Sequence, residues 1–238
     1  MLSLSACGGS SSSTMPSQAQ QAKVRYIDGA PLLETLIGGV LQGLGNDVYL
    51  QVDSQTVVSS FTYGSMTTFL PTAAGVHSLT ARNTEGYAVG PLQTTSLAAG
   101  KRYTLVLVGS YPNYKVLTFE EPAASNEAGI SLYEASPSVP DAGFGSYTVS
   151  TNSGFKQLGT AHFGDIVTVS LGKSVTNTGG YVGPPSKRLG EIAPSQVNTF
   201  DTNNALPFHK AARLSLFLFD PATGSGTTSG PVFGSLDQ

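Results

Sequence analysis

The sequence predicts an all-β chain built as two antiparallel sandwiches in tandem, and three observations carry that prediction. Charged residues are 11% against 39% apolar, with 28 Gly, 14 Pro, 10 Tyr and 11 Phe. That balance suits short strands and many turns rather than amphipathic helices. Runs of alternating apolar and polar residues recur along the chain, each ended by Gly, Pro or Asn. The pattern then restarts after residue 127. With 238 residues there is length for two domains of about a hundred residues, each able to bury most of its unfolded surface.

Taken in order, residues 1–21 read as a truncated lipoprotein signal and a flexible tether. Leu4-Ser5-Ala6-Cys7 resembles the bacterial lipobox: a branched apolar residue, two small residues, then the cysteine that is acylated after cleavage before it. Cys7 is the only cysteine, so an intrachain disulfide and Cys-x-x-Cys metal or redox motifs are excluded. Lipidation is expected at Cys7. Six residues precede it, short of the ~15–30 of a signal peptide, so the natural start is expected upstream, with Met1 inside the apolar segment. The Gly/Ser tract from Gly8 to Ser13 and the polar residues up to Gln21 bury too little apolar surface to order themselves. Acyl chains contribute ~0.8 kcal/mol per buried CH₂, so several hold a protein firmly to a bilayer. Gly8, where an aspartate is linked to inner-membrane retention, favours sorting to the outer membrane.

Residues 22–121 form the first expected sandwich. Strands are read at Lys23–Ile27, Asp47–Val52, Val57–Phe61, Met66–Leu70, Val76–Ala81, Leu92–Leu97, Tyr103–Val108 and Tyr114–Phe119. Turn residues including Gly64, Pro71, Gly75, Gly86, Gly100 and Pro112-Asn113 punctuate them. Tyr103–Val108 is apolar on both faces. Pro31 to Leu44 stands apart, because Leu32, Leu33, Leu36, Ile37, Val40 and Leu41 fall at helical spacing. A short helix or apolar loop is expected there, covering one end of the sandwich.

Residues 122–127 read as a linker, with Glu120-Glu121 as solvated charge beside it. Residues 128–238 form a second, divergent sandwich. Gly129 to Pro137 echoes Val24 to Pro31, and Phe163-Gly164 echoes Tyr63-Gly64. Arg213 to Leu218 likewise matches Arg102 to Leu107. A period of about a hundred residues implies duplicated domains, not a solenoid of ~20–50-residue repeats. Lys173 to Lys210 shows little periodicity and either hides short strands or marks where the second copy differs.

These residues also carry a resemblance. Lys23-Val24-Arg25-Tyr26 with Ala30-Pro31, Asp47–Leu50, Pro71–Leu79 and Ala98–Gly109 resemble successive blocks of a bacterial and archaeal domain of unknown function, number 4397. The second half is similar only at its start, near Phe163-Gly164, and at Leu214–Phe219. The resemblance implies an exported protein, often lipid-anchored, with tandem immunoglobulin-like sandwiches. It supplies no catalytic residues. The chain departs from the pattern at Asp28-Gly29, where His-Ala is usual, and in the length of Leu32–Leu44.

Chemistry-bearing motifs are scarce. Net charge is −3 and no basic run exceeds a pair, which disfavours a nucleic-acid partner. No apolar run reaches the ~20 residues of a spanning helix. The sequence holds no Gly-x-Ser-x-Gly elbow and no phosphate loop. His77 lies on an apolar strand face and reads as a core or rim residue, His162 as a turn residue, and His209 as preceding a strand. Asp201-Thr202-Asn203-Asn204 reads as an Asx-rich turn rather than a calcium loop. No catalytic residue, metal site or cofactor is therefore assigned. Tyr111, Asn113 and Tyr114, with Tyr181 and Phe208, form the candidate partner-binding loops, because exposed aromatics stack on sugars or fill pockets at low entropic cost. Their alternative is to lid the cores. The reading is a lipid-anchored cell-envelope protein acting as a non-catalytic binding or structural module, its partners the membrane through acylated Cys7 and a protein or glycan. The alternative is a periplasmic or surface hydrolase, which requires a histidine within reach of both a carboxylate and a hydroxyl.

Overall fold

The computed structural model describes residues 21–172, 177–184, 186–193, 198–199, 212–222 and 231–237, and among them every regular element is a strand. Cys7, Phe208 and His209 lie outside the described residues. The first half holds β1 (Gln21–Asp28), β2 (Glu34–Ile37), β3 (Val40–Gly43), β4 (Val48–Val52), β5 (Gln55–Val58), β6 (Leu70–Ala73), β7 (Ser78–Asn83), β8 (Ala88–Gln93), β9 (Arg102–Val108) and β10 (Lys115–Glu120). The second holds β11 (Ala128–Glu134), β12 (Asp141–Thr148), β13 (Ser153–His162), β14 (Ile166–Gly172), β15 (Thr178–Val182), β16 (Gly190–Ile192), β17 (Asn198–Thr199), β18 (Arg213–Leu218) and β19 (Val232–Asp237).

Each half is a sandwich. In the first, a sheet ordered β10-β9-β1-β6 faces one ordered β5-β4-β7-β8; in the second, β14-β11-β18-β19-β17 faces β13-β12-β15-β16. Pairing is antiparallel except for β1 with β9, β11 with β18 and β17 with β19. The alternation of β4 and β7 sends Val48, Leu50, Val52, Leu79 and Ala81 into the first core, where they meet Val24, Tyr26, Leu105 and Leu107 from the facing sheet. Ile130, Leu132, Leu214 and Leu216 meet Phe144, Ala161 and Val182 in the second.

A third core joins the two sandwiches. The other face of β1, β9 and β10 presents Ile27, Val106, Val108 and Phe119, and the other face of β11 and β18 presents Tyr133 and Phe217, with Ala135 and Phe219 just beyond those strands. The sheets therefore stack four deep, and the central strands of the two inner ones, β1, β9, β11 and β18, are buried on both faces over most of their length. This explains why Tyr103–Val108 is apolar on both faces: a strand with no solvated face has no polar alternation.

The halves share local geometry. Lys23 pairs Arg102 through Asp28 pairing Leu107, and Gly129 pairs Arg213 through Glu134 pairing Leu218, both in parallel. The Gly64 N–H donates to Asp28 O at 2.7 Å and the Gly164 N–H to Glu134 O at 2.8 Å. Gly29 N–H reaches Leu107 O at 2.8 Å, and Ala135 N–H reaches Leu218 O at 3.0 Å.

The structure corrects several expectations. Pro31–Leu44 is neither helix nor loop: β2 and β3 form a hairpin with Leu36 opposite Leu41 and Ile37 opposite Val40. Gly38 and Gly39 have φ of 57° and 85°, as a tight hairpin turn between them requires, whereas two mid-helix glycines would cost ~1 kcal/mol each. The expected strand at Met66–Leu70 begins instead at Leu70, and Leu92–Leu97 moves back to Ala88–Gln93. Both carry a proline, Pro71 and Pro91, and both lie at sheet edges, where a missing N–H is tolerated. Lys173–Lys210 contains β15, β16 and β17. Glu121 is buried rather than solvated.

Candidate functional site

The loop between β9 and β10 and the β2–β3 hairpin meet at one end of the first sandwich. Gly109 turns the chain with φ of 98°, and a Cβ there would lie 2.5 Å from Asn113 O. Tyr111 and Asn113 project into solvent. Tyr114 does not. Its half-buried phenol donates to Leu32 O and accepts from the Glu34 N–H, both at 2.8 Å, so it clamps the base of the hairpin. Burial raises the Tyr114 pKa. Above the clamp the hairpin is apolar on both faces, with Val40 60% and Leu36 52% exposed. Among the described residues the exposed large hydrophobics are Leu32, Leu36, Val40, Leu41, Tyr111 and Val76, and all but Val76 belong to this end.

The other predicted aromatics fall elsewhere. Tyr181 is fully buried in β15, not in a loop. It packs edge-on against Phe155, which stacks on Tyr147 and lies beneath the Arg188 guanidinium at 3.9 Å. The sequence around Tyr181 is Gly-rich because neighbouring backbone must approach closely: a Cβ on Gly145 would meet its ring at 2.6 Å. Phe208 lies outside the described residues.

Between the sandwiches lies a charged network that sequence reasoning missed. Arg25 in β1 is fully buried. Its Nε donates to Thr104 Oγ1 at 3.1 Å, its Nη1 to Ser235 Oγ at 2.8 Å and Asp237 Oδ1 at 2.9 Å, and its Nη2 to Glu121 Oε1 at 3.2 Å. Glu121 also accepts from Thr104, from the Tyr133 phenol at 2.7 Å and from Arg213. Asp237 accepts from Ser215 at 2.6 Å. Two cations thus meet two carboxylates, with the hydroxyls of Thr104, Tyr133, Ser215 and Ser235 bonding the same charges, the condition under which buried charge is tolerated. Burial opposes ionisation of Asp237, but the charge of Arg25 and the Ser215 hydroxyl hold its pKa low. Burial likewise opposes the Arg25 cation, and Asp237, Tyr133 and Glu121 together more than offset it. Nothing local in the sequence marks the network, because Arg25 alternates with Val24 and Tyr26 as a solvent-facing residue would.

Two further buried acids close the first strand of each half. Asp28 Oδ1 accepts the Ala30 N–H at 3.0 Å and Glu134 Oε1 the Ser136 N–H at 2.9 Å. Burial pushes each up to about 8, so both are held neutral at pH 7. His77 is buried, with Nδ1 2.6 Å from Asp53 Oδ2 and Nε2 2.8 Å from Ala73 O. His162 is exposed against Asp141, which raises its pKa. Each meets a carboxylate, but no side-chain hydroxyl joins either ring in the hydrogen bonds described. Beside the linker a cavity of about 140 Å³ is lined by Arg102, Pro122, Glu127, Thr168, Ser170 and Arg213, below the ~300 Å³ of ordinary ligand pockets.

No curated protein matches the chain. A family model described as a domain of unknown function, DUF4397, matches residues 35–142. That span runs from β2 through β11 to the first residues of β12, so it leaves out β1 and crosses the 122–127 segment. On that match the chain carries the domain of unknown function DUF4397 over residues 35–142.

Proposed function

We propose that this is a lipid-anchored protein of the bacterial cell envelope, sorted to the outer membrane, that works as a non-catalytic binding or structural module for a protein or glycan partner. In this reading acylated Cys7 fixes it to the bilayer and residues 8–21 tether it. The two sandwiches are duplicated copies of one domain, a reading supported by the equivalent bonds of Gly64 to Asp28 and Gly164 to Glu134. The observation that carries the non-catalytic reading is how the buried charge is engaged. Arg25, Arg213, Glu121 and Asp237 bind one another across the seam and join the sandwiches into one body.

The test is the mass of the mature N-terminus from the membrane fraction of cells expressing the gene with its native upstream region. A di- or triacylated Cys7, lost with Cys7→Ala, is the expected result. An unmodified chain in the soluble fraction would overturn the anchor and with it the envelope address.

A further inference from the structure

We propose that the tip of the β2–β3 hairpin inserts into the apolar part of a lipid bilayer. The inference rests on the envelope reading for its setting and names a second point of contact with the membrane.

The geometry favours immersion over docking across one face. Paired residues of a hairpin share a face, so Leu36 and Leu41 lie on one side and Ile37 and Val40 on the other. A partner covering either side leaves the other in water, whereas hydrocarbon surrounds both. The turn between them is Gly38-Gly39, with open space around both Cα atoms, so no side chain blocks entry of the tip. From Thr35 to Asn46 the chain carries no charged residue, and no Lys or Arg occurs between Arg25 and Arg82. Insertion is therefore free of buried charge and owes nothing to anionic headgroups. The Tyr114 clamp holds the hairpin out as a fixed element, so little ordering entropy is lost on entry. Tyr111 lies at the same end of the sandwich, and tyrosine favours the headgroup level of a bilayer. Gln21, where the tether joins, is at the opposite end of β1. Thirteen residues, the number from Gly8 to Gln20, can span at most about 45 Å, longer than the ~26 Å of an eight-residue strand, so anchor and tip can meet one membrane.

The chain has no tryptophan, so Val40→Trp places a single indole at the tip. The full chain also carries Cys7→Ser, which removes any acyl chain and separates this test from the anchor. With vesicles of zwitterionic phosphatidylcholine, the indole emission should shift to the blue and be quenched by brominated acyl chains, with no dependence on salt. Leu36→Ser with Leu41→Ser, on the opposite face from the reporter, should weaken partitioning by about a hundredfold. Cosedimentation of the chain without the tryptophan guards against a substitution that disturbs the hairpin. Absence of both the shift and cosedimentation would overturn the proposal. So would binding that requires anionic lipid and vanishes in salt. A blue shift that grows with protein concentration without vesicles would replace it with self-association.

Discussion

Replacing Arg25 with methionine removes the central cation of the seam while keeping its volume. Glu121 retains Arg213, Tyr133 and Thr104, but Asp237 is left with only the Ser215 and Ser235 hydroxyls. An uncompensated carboxylate in a dry site costs about 3–5 kcal/mol. That is a large share of the ~5–15 kcal/mol by which domains are stable. Asp237→Asn alone strands Arg25 partly, at about 2–3 kcal/mol, because Glu121 still faces it. The double variant removes both members of the pair and should cost at least about 2 kcal/mol less than the sum of the singles. Urea unfolding followed by far-ultraviolet circular dichroism at neutral pH measures all four corners of the cycle. Additivity within about 0.5 kcal/mol would mean that the two side chains do not meet.

Asp28 and Glu134 have pKa values raised to about 8 by burial. The folded chain therefore holds protons that the unfolded chain releases near pH 4, and stability falls as pH rises from about 4 to about 8, by up to about 1.4 kcal/mol per unit per group. Asp28→Asn with Glu134→Gln should flatten that slope in melting curves taken across the range; an unchanged slope would count against buried neutral acids. Asp237, with its lowered pKa, works in the opposite sense, and its contribution is lost as pH falls through the acid range. Tyr114→Phe removes the hairpin clamp and should speed amide exchange across 34–43 while lowering global stability by only about 1–2 kcal/mol. Gly64→Ala places a Cβ 2.2 Å from the Phe233 ring at φ of 77°, and about 3 kcal/mol of destabilisation is expected. At the matching position Gly164 meets nothing within 4 Å, so Gly164→Ala should cost only the ~1 kcal/mol of its left-handed backbone.

The all-β class and most strand positions were legible because alternation and turn residues act locally. β4, β7 and β9 needed nothing beyond their own sequences. The hairpin was not legible, since Leu36, Ile37, Val40 and Leu41 satisfy a helical spacing as well as a hairpin apolar on both sides. The Gly38-Gly39 pair was the signal that separates the two. Edge strands holding Pro71 and Pro91 were displaced because their position in the sheet, which only the fold determines, decides whether a proline is tolerated. Of the candidate loops, Tyr111 and Asn113 are exposed, whereas Tyr114 serves the hairpin and Tyr181 is buried against Phe155. The seam was hidden for a different reason. Arg25, Glu121 and Asp237 are separated by 96 and 212 residues from the first, and no local pattern records a contact of that range.

The two sandwiches share one buried, charge-matched seam, and calorimetric unfolding of the full chain measures whether they melt as one body. A single transition whose calorimetric and van't Hoff enthalpies agree is the predicted result. Two separable transitions, one per half, would contradict it and return the halves to independent domains on a string.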